Sequence, residues 1–175
     1  MNLSRIPYRL GQFWFALTAA PAPQDLEQAR TILSPSELQL FTQMQPSEQA
    51  HALRVLNRLR QQDEIEPRLL KAALLHDVGK IRYRLNPWQR GLIVLLKKFA
   101  PGAARRWGES EPAGWRVAFA VAAQHPAWGA SLVESAGSDP LTVSLVRRHQ
   151  EHPAKSTGNL EECLLRVLQT ADEES

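Results

Sequence analysis

Five histidines and two aspartates are the residues of this 175-residue sequence with the most chemical capacity. They occur as His51, the adjacent pair His76-Asp77, His125, His149 and Asp172, with His152 outside that order. Imidazole nitrogens and carboxylate oxygens take up protons, hydrogen bonds or cations. His51 stands four places before Val55, which with Ala52, Leu56 and Leu59 forms an apolar stripe at helical spacing, so it lies on the buried edge. His76 and Asp77 follow Ala72-Ala73-Leu74-Leu75. A carboxylate there is costly to bury without a cation or a hydrogen-bond partner. Neighbours on a helix point ~100° apart and do not share a face. At a helix end, however, both can converge on an ion just beyond the terminus. A single histidine on an apolar helix is more often plain packing; the ordered set carries the signal.

Helices must position these groups, because apolar residues recur at helical spacing and few segments alternate. A helix is expected from near Gln24, with Leu26, Ala29, Ile32 and Leu33 on one face. Ser34-Pro35 opens a second and Pro46-Ser47 a third, which runs through His51 to about Arg60. Pro67 opens a fourth, central helix up to His76, with Gly79 marking its end. Gly91 to Phe99 reads as a helix that Pro101-Gly102 breaks, followed by Arg105, Arg106, Trp107 and a loop from Gly108 to Gly114. Trp115 to Gln124 and Pro126 to Ala136 read as two helices, the second stopped by Gly137, with His125 just before its start. Ser138-Asp139-Pro140 starts the next, ending near His149. Pro153 to Asn159 reads as a loop, and Leu160 to about Asp172 as the last helix. The expectation is an all-α chain of about eight or nine helices: an extension over 1–44 packed on a bundle over 45–175, in one compact unit.

At this point the residues meet a known family. Leu74-Leu75-His76-Asp77-Val78-Gly79-Lys80 resembles the signature of the HD-domain superfamily of phosphohydrolases. His51 in Gln49-Ala50-His51-Ala52-Leu53-Arg54-Val55 resembles that family's first histidine, and Asp172 in Gln169-Thr170-Ala171-Asp172 its last aspartate. The resemblance covers roughly residues 45 to 173. It implies a helical bundle in which His51, His76, Asp77 and Asp172 hold one divalent ion. Gln124-His125-Pro126-Ala127-Trp128-Gly129-Ala130 and Arg147-Arg148-His149-Gln150-Glu151 resemble segments of members that bind two metals. Those members include the HD-GYP cyclic-dinucleotide phosphodiesterases and the HD-type diadenosine tetraphosphate hydrolases. By that match His125 and His149 hold a second ion, with Asp77 bridging. The Gly-Tyr-Pro tripeptide is absent, the chain reading His152-Pro153-Ala154-Lys155 after Glu151.

Such a donor set suits Mn, Fe, Zn, Ni or Co, with Mg also admissible. Without a thiolate ligand a closed structural zinc site is not expected. One or two ions would lower the pKa of a bound water from about 15.7 towards ~7 and neutralise phosphate oxygens. Lys80 is placed either to stabilise developing charge on phosphate or to satisfy helix-end carbonyls. Arg147 and Arg148 flank His149 and either contact phosphate or form a solvated face. The function implied is hydrolysis of a phosphoester or phosphoanhydride, with a nucleotide as the small-molecule substrate. The alternative is a catalytically weak relative that binds a nucleotide or passes on a signal.

Bulk properties narrow the rest. With 43% apolar and 22% charged residues, the chain has the composition of a globular protein. Its net charge of +3 is too small to argue for nucleic acid. No long apolar run opens the sequence, so a signal peptide is not expected. Leu92 to Leu96 is cut off by Lys97 and Lys98, far short of the ~20 residues that span a bilayer. With a single cysteine, Cys163, no internal disulfide can form, and a cytoplasmic location is expected. Cys163, among Leu160, Leu164 and Val167, reads as core packing. Phe13 to Phe15 read as a staple onto the bundle, and His152 as a loop residue. The basic and aromatic stretch from Trp88 to Trp107 admits three readings: a solvated peripheral helix, a lid supplying cations to an anionic substrate, or an interfacial helix in peripheral contact with anionic membrane.

Overall fold

Proline sets where most of the helices begin. The computed structural model describes residues 20–62, 66–151 and 158–175. Among them lie nine α-helices and no strand: α1 (Pro23–Ile32), α2 (Pro35–Gln43), α3 (Pro46–Gln61), α4 (Pro67–Leu75), α5 (Pro87–Phe99), α6 (Pro101–Gly108), α7 (Val117–Ser135), α8 (Pro140–Arg148) and α9 (Leu160–Glu173). Proline suits the first helical turn because its missing N–H would have no partner there anyway. Side-chain caps reinforce several starts. Ser34 and Glu37 form a capping box on α2, as do Asn86 and Gln89 on α5; Asp139 caps α8 and Asn159 caps α9.

Helix α4 is the axis of the bundle. Leu69, Leu74 and Leu75 are fully buried in it, and it packs against α1, α2, α3, α8 and α9. Val55, Leu56 and Leu59 of α3, Leu145 and Val146 of α8 and Leu168 of α9 close the same core. Burial of side chains of this size stabilises by roughly 1.5–3 kcal/mol each. The first two helices join that core through Ala29 and Phe41. A buried carboxylate also ties them in. Glu37, 1% exposed, accepts from Lys71 Nζ (2.8 Å), Ser138 Oγ (2.8 Å) and the Ser34 N–H (2.8 Å), linking α2 to α4 and to the turn before α8.

The structure corrects four sequence expectations. Trp115–Gln124 and Pro126–Ala136 are not two helices; α7 runs unbroken through Pro126. Proline breaks a helix interior at a cost of ~3 kcal/mol, but Phe119, Val121, Ala130 and Val133 are buried on both sides of it, and packing overrides propensity. Gly79 does not end α4. The helix closes at Leu75, His76 continues in the α region, and Val78–Arg82 form a 3₁₀ turn that contains Gly79. Pro101-Gly102 does not merely break α5; Pro101 opens α6, which runs to Gly108. Cys163 is exposed, because Leu164, Leu165, Leu168 and Ala171 form the inward face of α9 and Cys163 falls outside it. Phe13 to Phe15 and His152 lie outside the described residues.

Candidate metal centre

Four helix segments deliver the ordered histidines to one place. His51 comes from the middle of α3, His76 from the end of α4, His125 from the middle of α7 and His149 from the end of α8. Asp77 follows His76 directly, and Asp172 comes from the last turn of α9. Among the described residues they form two groups able to hold a metal ion: His51, His76 and Asp172, and Asp77, His125 and His149, each with ligand atoms within 4.8 Å of one another.

His51 Nε2 lies 2.7 Å from Asp172 Oδ1, and His76 Nε2 lies 3.6 Å from the same oxygen. Asp77 faces both groups. Its Oδ2 is 3.7 Å from His76 Nε2, and its Oδ1 is 3.2 Å from His125 Nε2 and 4.0 Å from His149 Nε2. The end of α9 is held by the His51–Asp172 bond and by Arg58, which donates to Glu174 across from α3.

Backbone geometry decides which imidazole nitrogen faces the site. His76 Nδ1 lies 2.9 Å from the Ala73 carbonyl, His125 Nδ1 2.8 Å from that of Val121, and His149 Nδ1 2.8 Å from that of Val146. A carbonyl only accepts, so each Nδ1 carries a proton and each ring turns its Nε2 inward; the neutral rings of His76 and His149 present a lone pair there. The Nε2 atoms of His125 and His149 stand 3.3 Å apart. His76 Nε2 is buried with no hydrogen-bond partner. An orphaned buried polar atom costs ~1–3 kcal/mol. A cation among these nitrogens and carboxylates would give His76 Nε2 a partner, so the residues present fit a divalent ion.

The protonation states agree with this. Burial first, then the nearby His51, hold His76 below the ordinary imidazole value, against the pull of Asp77 and Asp172. Burial alone would push Asp77 up, but its surroundings, led by the Lys80 ammonium, outweigh it and keep the carboxylate well below its usual range. Asp172 is lowered as well: burial opposes ionisation, and the surroundings, led by the hydrogen bond with His51, overcome it. Burial, followed by the neighbouring His76, takes His149 from 6.5 down to about 3.

A pH prediction follows for protein stripped of metal. Below 6.5 the unfolded chain protonates His149 while the native state refuses the proton until about 3, so stability falls as pH drops through that window. This group alone removes ~2 kcal/mol at about pH 5. Asp77 adds to the loss only below its unfolded value of 3.8. Denaturant melts of chelator-treated protein at about pH 7.5 and about pH 5 measure the loss. A midpoint that stays put between them would mean that His149 titrates as an ordinary exposed histidine.

Beside the second group opens a cleft of about 210 Å³. Lys80, His125, Gln150 and Glu48 give it polar edges, and Leu85, Ile93 and Val121 give it an apolar wall. Lys80 Nζ also pairs with Asp77 Oδ2. The two arginines flanking His149, open to a phosphate contact or a solvated face, pair with carboxylates. Arg147 is an exposed residue 4.0 Å from Glu134. Arg148 is committed to three carboxylates, Glu151 at 2.9 Å and Glu161 and Glu162 at 2.6 Å each, and joins α8 to the start of α9 instead of reaching the site.

Sequence reasoning passed over Gln169. Its amide donates to the carbonyls of His149 (3.2 Å) and Glu151 (2.8 Å), tying the end of α8 to the helix that carries Asp172. The available signal was its spacing, three places before Asp172 and so on the same helical face.

Residues 49–175 match the family model of the HD domain. No curated protein and no solved structure matches the chain.

Proposed function

The chain belongs to the HD domain family, and from that premise we propose that it is a metal-dependent phosphohydrolase, cleaving a phosphoester or phosphoanhydride of a nucleotide. The observation that carries the reading is the set of inward Nε2 atoms on three buried imidazoles fixed by backbone carbonyls, the Nε2 of His76 having no hydrogen-bond partner. His51, His76 and Asp172 would hold one ion, His125 and His149 a second, and Asp77 would bridge them through its two oxygens. The ions, when bound, supply a water acidic enough to attack phosphorus near neutral pH and positive charge for the phosphate oxygens.

The chain's own residues do the rest. Asp77 stays ionised and fixes the spacing between the two groups. His76 and His149 stay neutral, so their lone pairs remain available at neutral pH. Lys80 lines the cleft and offers its ammonium to the negative charge that develops on phosphate. The apolar wall of Leu85, Ile93 and Val121, with Gln150 at the edge, suits a compact organic group attached to that phosphate.

The test is metal analysis of purified protein beside turnover of an aryl phosphodiester and a set of nucleotides and cyclic dinucleotides, each with Mn and with Mg. The expected result is two ions per chain and hydrolysis of at least one nucleotide, with His125→Ala retaining a single ion. Bound metal without turnover of any phosphoester would favour a nucleotide-binding or signalling module. Absence of bound metal would overturn both readings.

A further inference from the structure

Helices α5 and α6 carry an apolar stripe and a charge imbalance that the phosphate chemistry does not use. On α5, Trp88, Leu95 and Phe99 recur at i, i+7 and i+11 and so share one stripe. They are 86%, 55% and 71% exposed. From Pro87 to Gly108 the sequence holds Arg90, Lys97, Lys98, Arg105 and Arg106 and no acidic residue. Arg105 pairs with Glu109 just beyond α6, on exposed surface. The opposite side of this helical hairpin is anchored. Trp107 packs edge-on against Trp115 and Phe119, with ring centres 4.8 and 5.3 Å away, and Gln124 of α7 donates to the carbonyls of Gly108 and Ser110.

An amphipathic helix with tryptophan on its apolar stripe, in a segment rich in basic residues, matches the boundary between acyl chains and anionic headgroups. No described helix is long and apolar enough to cross a membrane, so contact would be in the plane of the surface. A second copy of the chain would bring two acid-free basic segments together, which disfavours self-pairing. Nucleic acid would reward the charge but not the leucine and phenylalanine. We propose that the α5–α6 hairpin docks the protein on an anionic lipid bilayer through Trp88, Leu95 and the basic residues of the same segment. Ile93, on another face of the same helix, lines the cleft.

The test is co-sedimentation of the full chain with vesicles of phosphatidylcholine alone and of phosphatidylcholine mixed with phosphatidylglycerol. Binding is expected only to the mixed vesicles and is expected to weaken as salt is raised. Trp88→Glu combined with Leu95→Glu should lower it at least ~30-fold, from the loss of two buried apolar groups. Lys97→Glu combined with Lys98→Glu should lower it by at least about fivefold per cation lost. Trp88 and Leu95 are exposed on α5, so the Trp88/Leu95 variant should keep the parent melting temperature. Binding to neither vesicle, equal binding to both, or undiminished binding by the Trp88/Leu95 variant would overturn the proposal. So would sedimentation showing a dimer that this variant dissociates, or binding to DNA that it loses.

Discussion

Asp77→Ala is expected to leave the purified protein with neither ion and to lower phosphoester turnover at least ~10³-fold. Asp77 is the residue whose two carboxylate oxygens face both groups, Oδ2 towards His76 and Oδ1 towards His125 and His149. Its removal takes away the buried negative charge that compensates Lys80 and would compensate a cation at either position. A bound ion stabilises the native state by mass action, by ~2.7 kcal/mol at a concentration 100-fold above its dissociation constant. The parent protein should therefore melt higher with metal than with chelator, and Asp77→Ala should melt at one temperature under both conditions. Asp77→Asn keeps the shape and loses the charge, so it should behave like Asp77→Ala in metal content while staying closer to the parent in chelator. Full metal content in Asp77→Ala would defeat the assignment of the centre, whatever its activity.

What could be read in advance follows from the range over which each interaction acts. Helix starts are local: Pro35, Pro46, Pro67 and Pro140 fix their own backbone angle, and Ser34, Asp139 and Asn159 cap the backbone within three residues. The ordered histidines stood out because imidazoles on apolar helix edges are few in this chain, and the structure brings His51, His76, Asp77, His125, His149 and Asp172 together. Much of what escaped the sequence is non-local. Nothing near Pro126 in the sequence says that its helix is packed on both sides. Nothing near Arg148 says that α9 delivers two further carboxylates to it. Cys163 was assigned by the company of Leu164 and Val167, but a shift of one position on a helix turns a side chain by ~100°, and the inward face lies elsewhere. The close packing around Gly79 is of the same kind, since its partner segment lies more than forty residues further along the chain.

Gly79→Ala is the substitution expected to cost the fold most for the fewest atoms added. A Cβ at position 79 would stand 2.0 Å from the carbonyl oxygen of His125, 2.7 Å from the amide nitrogen of Gly129 and 2.9 Å from the carbonyl carbon of His125. All three are backbone atoms of α7, so no rotamer change relieves the clash. The 3₁₀ turn and α7 would have to part. That movement carries Asp77 away from His125, now 3.2 Å apart, so metal retention should fall with stability. Overpacking usually costs ~1–3 kcal/mol, and a backbone clash this close belongs at or above the top of that range. Gly129→Ala separates this effect from helix propensity. A Cβ at position 129 would meet the Gly79 nitrogen at 3.2 Å and methyl groups of Val146 and Val78 at 3.3 and 3.4 Å, which a few tenths of an ångström relieve. The gain of ~1 kcal/mol from replacing a helical glycine offsets part of that strain. Gly91→Ala in α5 meets nothing within 4 Å and should be neutral or stabilising by up to ~1 kcal/mol. Denaturant midpoints should therefore run Gly79→Ala far below Gly129→Ala, and Gly129→Ala below Gly91→Ala. A Gly79→Ala protein with the parent midpoint would mean that the turn does not sit against α7, and that Asp77 and His125 do not share a site.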